Sequence, residues 1–199
     1  MEQYLEIAAD RKRGSEWLCV NIKEKLDCIV ADLTNLPISG INDNSFEGVY
    51  SEHFIEHLYK YQGINFFKEA MRILKPGGTI RTCWPPYEFI EKLVSDEDLS
   101  NDQFVKFYHK RFVIGHNFSP PGNTEKRIQE QVALGLLHQN GEHLYIWGIE
   151  EMMNTLNELG FKDIKECDYG ISSIPTFNGI ELPDNIRALH SAIIEATKP

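Results

Sequence analysis

The chain has 199 residues, 42% hydrophobic and 25% charged, which suits one domain with a full core. Its net charge of −10 argues against a surface made to hold a phosphate backbone, and the only dense basic run is the short Arg11-Lys12-Arg13. No stretch nears the roughly 18 apolar residues of a membrane span, and Met1-Glu2-Gln3-Tyr4 does not open like a signal peptide, so a cytoplasmic protein without nucleic-acid or membrane partners is expected. Cys19, Cys28, Cys83 and Cys167 form no C-x-x-C pair, and free thiols in a reducing compartment are expected of them.

In chain order, the short apolar-leaning runs Tyr4–Ala8, Trp17–Ile22 and Cys28–Ala31 read as three strands, and Phe46–Ser51 as a fourth after the turn-rich Asn42-Asp43-Asn44-Ser45. Ile64, Phe67, Met71 and Leu74 recur at steps of three and four, giving one apolar helical stripe. Pro76 stops that helix and Gly77 falls where a helix end needs positive φ. Thr79–Cys83 is a fifth strand running into Trp84-Pro85-Pro86. From there to about residue 139 the aromatic pattern of Phe89, Phe104, Phe107, Tyr108 and Phe112 suggests helices, interrupted by a loop over His116–Asn123. Ile149, Met152, Leu156 and Leu159 form another helical stripe, which Gly160 ends, and Lys162–Cys167 and Ser191–Ala196 close the pattern as strands.

Alternating strands and helices imply an α/β, doubly wound, mostly parallel sheet, with the last two strands as an antiparallel edge. A single domain over residues 1–199 is expected, with residues 88–148 as a helical and loop insertion on the substrate side. The links after the first and second strands are too short for a helical crossover of about a dozen residues. Helices should therefore be missing in the amino-terminal half, and the bare sheet face should be covered by a partner subunit or by the mid-chain insertion. A homodimer is the expectation.

The most informative stretch is Val49-Tyr50-Ser51-Glu52-His53-Phe54-Ile55-Glu56-His57-Leu58. A buried strand ends there in two carboxylates and two imidazoles, and the carboxyl ends of such strands are where an open α/β sheet holds its ligand. Together with Arg72-Ile73-Leu74-Lys75-Pro76-Gly77-Gly78, it resembles the middle of a class I S-adenosylmethionine-dependent methyltransferase, in the form of the methyltransferase type 11 domain. The resemblance extends over nearly the whole chain. It implies a Rossmann-like fold, S-adenosylmethionine as cofactor, and methylation of a small molecule or of a sugar or metabolite group.

The same resemblance places the cofactor against Ala8, Ala9 and Asp10 after the first strand, Asn21 after the second, Asp32 and Leu33 after the third, and Ser51, Glu52 and His53 after the fourth. Asp32 would accept from the adenine amino group. His53 would be the base for the acceptor's proton, as an imidazole is suited to that task near neutral pH. Trp84, Tyr87, His116, His143 and Tyr145 would border the substrate. The glycine motif of the family is degenerate here, with Ala8 and Asp10 in place of glycines and Asn21 in place of the acidic residue that holds the ribose. Asp10 would then supply a replacement contact to the cofactor's ammonium.

Those departures keep a second reading open, a methyltransferase-like binding or scaffold protein without catalysis. A third comes from His53-Phe54-Ile55-Glu56-His57, which fits the H-x-x-E-H pattern of a zinc hydrolase with His53 and His57 as ligands and Glu56 as base. That chemistry needs a long helix under the motif. No metal is expected in the methyltransferase reading.

Overall fold

A computed structural model describes residues 2–95, 97–115, 127–182 and 186–199. Seven strands form one sheet in the order β3-β2-β1-β4-β5-β7-β6. They are β1 (Tyr4–Ile7), β2 (Trp17–Asn21), β3 (Cys28–Val30), β4 (Phe46–Glu52), β5 (Leu74–Trp84), β6 (Lys162–Glu166) and β7 (Ala192–Thr197). The first five run parallel, and β7 lies antiparallel between β5 and β6. This is the Rossmann-like sheet with an antiparallel carboxyl-terminal edge that the sequence implies.

No helix joins β1 to β2 or β2 to β3. In these links the chain turns back through loops, and β2 and β3 start their pairing at Cys19 opposite Cys28. This register puts the two sulfurs together, and Cys19 and Cys28 form a disulfide. The expectation of four free thiols is therefore wrong for this pair; Cys83 and Cys167 are free.

Helix α1 (Lys60–Ile73) begins with the Tyr59 N–H donating to the Gln62 side chain at 2.9 Å. Its buried face, Phe66, Phe67, Ala70 and Ile73, packs on the sheet beside Leu5, Val49 and Ile80. The helix stops three residues before the expected turn. Lys75, preceding a proline, is pushed towards extended backbone, so the strand has begun by Leu74. Gly77 does have positive φ, +79°, but at an irregularity within β5 rather than at the helix end.

Helices α2 (Tyr87–Val94), α3 (Gln103–Tyr108) and α4 (Ile128–His138) share a second apolar cluster around Leu93, Phe104, Val105 and Val132. A π-helical turn, His109–Ile114, prolongs α3. Helix α5 (Ile149–Glu158) buries Met152 and Leu156 in the main core. Among the described residues no helix is long and apolar enough to cross a membrane.

Among the described residues, the face left bare by the missing helices is covered from within the chain and not by the mid-chain insertion. The link between β6 and β7 lies over it: Phe177 and Ile180 pack with Trp17 and Tyr50, and Tyr4 joins at the edge. Gly48 makes room for this, since a Cβ there would sit 2.7 Å from the Phe177 ring. An ion cluster with no exposure fixes the link. Arg81 of β5 donates two hydrogen bonds to Glu181, at 2.8 and 2.7 Å, and one to Glu195 of β7 at 2.7 Å.

Candidate active site

Two cavities open near the carboxyl ends of the parallel strands. The first, about 320 Å³, lies over the ends of β1, β2 and β3 and is lined by Ala8, Asn21, Ala31, Asp32, Leu33 and Phe54 among others. The second, about 270 Å³, lies between the end of β4 and the helical region, against Glu56, Phe104, Tyr108, His143 and His190. His53 and His57 line both cavities. They stand where an open sheet with this order reverses direction, between β1 and β4.

Ala8 takes φ +57°, the conformation a glycine would hold at this turn, and its side chain is only a methyl. Asp32 is exposed at the rim, and its Oδ1 accepts from the Thr34 hydroxyl at 2.7 Å and the Thr34 N–H at 2.9 Å. These bonds hold its carboxyl below the usual range. Asn21 differs from its expected role. Its Nδ2 donates to the Ala9 carbonyl at 2.8 Å and its Oδ1 accepts from Lys23 N–H at 2.9 Å, so both ends of the amide hold the β1 and β2 loops. The cavity's small turn residue, apolar wall and rim carboxylate fit an adenosine-like ligand, and Asn21 borders the same cavity with one amide N–H and one oxygen lone pair beyond those two bonds.

Several expected contacts fall elsewhere. Asp10 faces away and pairs with Lys25 at 2.7 Å, beside Ala9 on a separate polar surface with Arg11 and Arg13. That removes its expected contact to the cofactor. Ser51 is fully buried and bonded to the Thr82 hydroxyl at 2.9 Å, a role in the sheet rather than at a ligand. Glu52 meets Arg187 at 3.3 Å and the Tyr169 hydroxyl at 3.3 Å, outside both cavities. Trp84 is a core residue whose Nε1 donates to the Trp147 carbonyl at 2.9 Å. Tyr87 is exposed at the start of α2. Tyr145 turns its hydroxyl to Glu151 at 2.6 Å. His116 lies outside the described residues. Of the expected substrate contacts among the described residues, only His143 lines either of these two cavities.

The histidine-rich wall is built by one short turn. After β4, His53 takes φ +49° and its N–H donates to the Cys83 carbonyl at 2.8 Å. A single 3₁₀ turn, Ile55–His57, follows in place of the long helix a zinc hydrolase motif needs. His53 and His57 therefore do not form that enzyme's helical ligand pair. The His53 Nε2 is 2.9 Å from the Ser191 hydroxyl and its Nδ1 is 3.2 Å from Glu56 Oε1. Leu144 N–H donates to the Glu56 carbonyl at 2.8 Å and brings His143 across to the turn.

Glu56 is fully buried. Burial works against its charge, but the imidazoles of His53, His143 and His57 outweigh that and hold its carboxyl below the usual range. Burial lowers the pKa of His143, offset in part by Glu56 and the Leu136 carbonyl. Burial, with His53 nearby, drives His190 down to about 3, so it is neutral at pH 7. Phe104, Tyr108 and His190 were not among the expected site residues, and Glu56 was expected only as the base of the zinc-hydrolase reading. Glu56 stood in the quoted motif, while His190 lies far along the chain with no local pattern to mark it.

The sheet order, the antiparallel edge and the cavity at the switch point define the class I methyltransferase fold. Residues 2–82, from β1 into β5, match the family model described as a methyltransferase domain. Among solved structures, an S-adenosylmethionine-dependent methyltransferase from Archaeoglobus fulgidus superposes with a TM-score of 0.55 at 18% identity, over 99% of this chain and 86% of its own. A possible histamine N-methyltransferase from Thermotoga maritima gives 0.53 at 16%, over 100% and 83%. Phosphoethanolamine N-methyltransferase 2 of Haemonchus contortus, solved with S-adenosylmethionine, gives 0.53 at 14%; this chain is covered in full and spans 49% of that longer one. At these identities the likeness is one of fold. No curated protein matches the chain by sequence.

Proposed function

We propose that this protein transfers a methyl group from S-adenosylmethionine to a small acceptor, a small molecule or a sugar or metabolite group, held in the histidine-rich cavity. The observation that carries the reading is the shared wall: His53 and His57 line both the cavity over β1–β3 and the cavity under the helices. Two ligands placed there meet at the end of β4. The cofactor supplies an electrophilic methyl on a sulfonium, and the protein's task is to align donor and acceptor and exclude water. Ala8 lets the backbone approach, Leu33 and Phe54 give an apolar wall, and the Asp32 oxygen accepts from the adenine amino group. Phe104 and Tyr108, from the insertion, shield the acceptor side. His53, held through its Nε2 contact with the Ser191 hydroxyl, takes the proton the acceptor loses.

Calorimetric titration with S-adenosylmethionine and S-adenosylhomocysteine tests the reading. Micromolar affinity that falls in Asp32→Ala supports it. Absence of binding at millimolar ligand overturns it in favour of a non-catalytic binding protein, the reading that the engaged amide of Asn21 would suit. The homodimer belongs to this proposal too, now as burial of the exposed Leu26 and Val30 rather than of a bare sheet face; a monomer in gel filtration at micromolar concentration counts against it.

A further inference from the structure

We propose that Glu56, His57 and His143 form a binding site for a zinc-type divalent metal ion, open on one side to the histidine-rich cavity. The ligand atoms these three residues offer all lie within 4.8 Å of one another. All three residues line the cavity, and they come from two segments that the Leu144–Glu56 backbone bond holds together.

The hydrogen bonds around the imidazoles select the atoms. His57 Nδ1 lies 3.0 Å from the Glu142 carbonyl, and His143 Nδ1 is bonded to the Leu136 carbonyl. A carbonyl only accepts, so each Nδ1 carries the proton and each Nε2 presents a lone pair. Anchoring one ring nitrogen on a backbone oxygen is how metal-binding histidines are oriented.

A second observation points independently to a cation site. Both Glu56 carboxylate oxygens are buried and have no hydrogen-bond partner among the described residues. His53 Nδ1 is near, at 3.2 Å, but not in hydrogen-bonding geometry. A buried carboxylate without such partners costs several kcal/mol in general terms, and coordination to a metal is one of the few ways it is compensated.

The donor set identifies the class of ion. Two imidazole nitrogens and one carboxylate oxygen suit zinc, cobalt or another late first-row ion, while magnesium and calcium prefer oxygen ligands. Zinc with ligands at about 2.0–2.2 Å holds them some 3.3–3.6 Å apart, so closure requires side-chain shifts of about 1 Å. Three protein ligands leave a coordination position for an acceptor heteroatom. That role for the acceptor rests on the methyltransferase reading; binding of the ion does not.

The test uses the full chain freed of metal by a chelator, with no S-adenosylmethionine added. Zinc chloride is titrated by calorimetry, and cobalt chloride by visible absorption. One ion per chain is expected at micromolar affinity or tighter, with cobalt ligand-field bands of nitrogen and oxygen coordination. His57→Ala, His143→Ala and Glu56→Gln should each weaken binding by about 100-fold or more. Should Glu56→Gln fail to fold, the two histidine variants, checked by circular dichroism, carry the test. No uptake by the wild type, or uptake unchanged in both histidine variants, overturns the site. Zinc binding without S-adenosylmethionine affinity leaves the site standing and removes the methyltransferase reading; the reverse result does the opposite.

Discussion

Arg81 and Glu181 are 100 residues apart in sequence and meet through two hydrogen bonds, at 2.8 and 2.7 Å, with neither side chain exposed. The pair ties the β6–β7 link to the middle of the sheet, and Glu195 takes a third bond from the same guanidinium. Burying these charges is costly, so the arrangement is stable only while complete. Arg81→Met should leave two carboxylates buried without their partner and cost about 3–5 kcal/mol. Urea unfolding measures the loss, and hydrogen exchange should show residues 170–181 newly unprotected. A loss below 1 kcal/mol would remove the pair from the fold's supports.

The Cys19–Cys28 disulfide closes a short loop between neighbouring strands, with a separation of 9 residues. On the chain-entropy estimate, a loop of that length adds about 2–3 kcal/mol. Cys19→Ser with Cys28→Ser should lower stability by that amount, and a reductant should do the same to the wild type only. Equal unfolding midpoints with and without reductant would contradict the bond.

Glu69 of α1 sets an acid limit. Burial opposes its charge, but Arg72 and the Ile38 N–H outweigh burial and hold its carboxyl below the usual range. A carboxyl with a lowered folded pKa stabilises the fold above its unfolded pKa, and that contribution is lost as pH falls through the folded value. Glu69→Gln should therefore be less stable than wild type near pH 7, and the gap should close below about pH 4. Denaturant midpoints across pH 3–7 check this; a constant gap would refute the linkage.

Ala8 bears positive φ, +57°, which costs a non-glycine residue about 1–2 kcal/mol. Ala8→Gly relieves that strain but gives back about 0.5–1 kcal/mol in unfolded-chain entropy, so a small net gain is expected. Ala8→Val should be clearly destabilised, since a β-branched side chain is an outlier in this region. Thermal unfolding ranks the three, and Val equal to Ala would show that the turn has another conformation.

Local patterning exposed most of the sheet. The runs at Tyr4, Trp17, Phe46 and Ala192 are apolar and short, and each became a strand because period and composition agree there. The end of α1 was misplaced because the influence of Pro76 reaches back to Lys75 and the strand started earlier. Non-local contacts were hidden. Nothing beside Phe177 says it will cover Trp17 and Tyr50, and nothing beside His190 says it will border a cavity with Glu56. Asn21 shows the opposite error: its position at the end of β2 was legible, but its amide bonds to Ala9 and Lys23 were not.

The Phe177 cover has a bearing on synthesis. Residues 2–82 match the methyltransferase-domain model, yet Tyr4, Trp17 and Tyr50 acquire their lid only once the segment with Phe177 and Ile180 has emerged from the ribosome, and β5 receives its outer neighbour only with β7. The nascent amino-terminal half must wait with an aromatic surface uncovered, so a holdase chaperone has its natural target there, and a premature stop anywhere before Phe177 should yield an aggregating product rather than a smaller working domain.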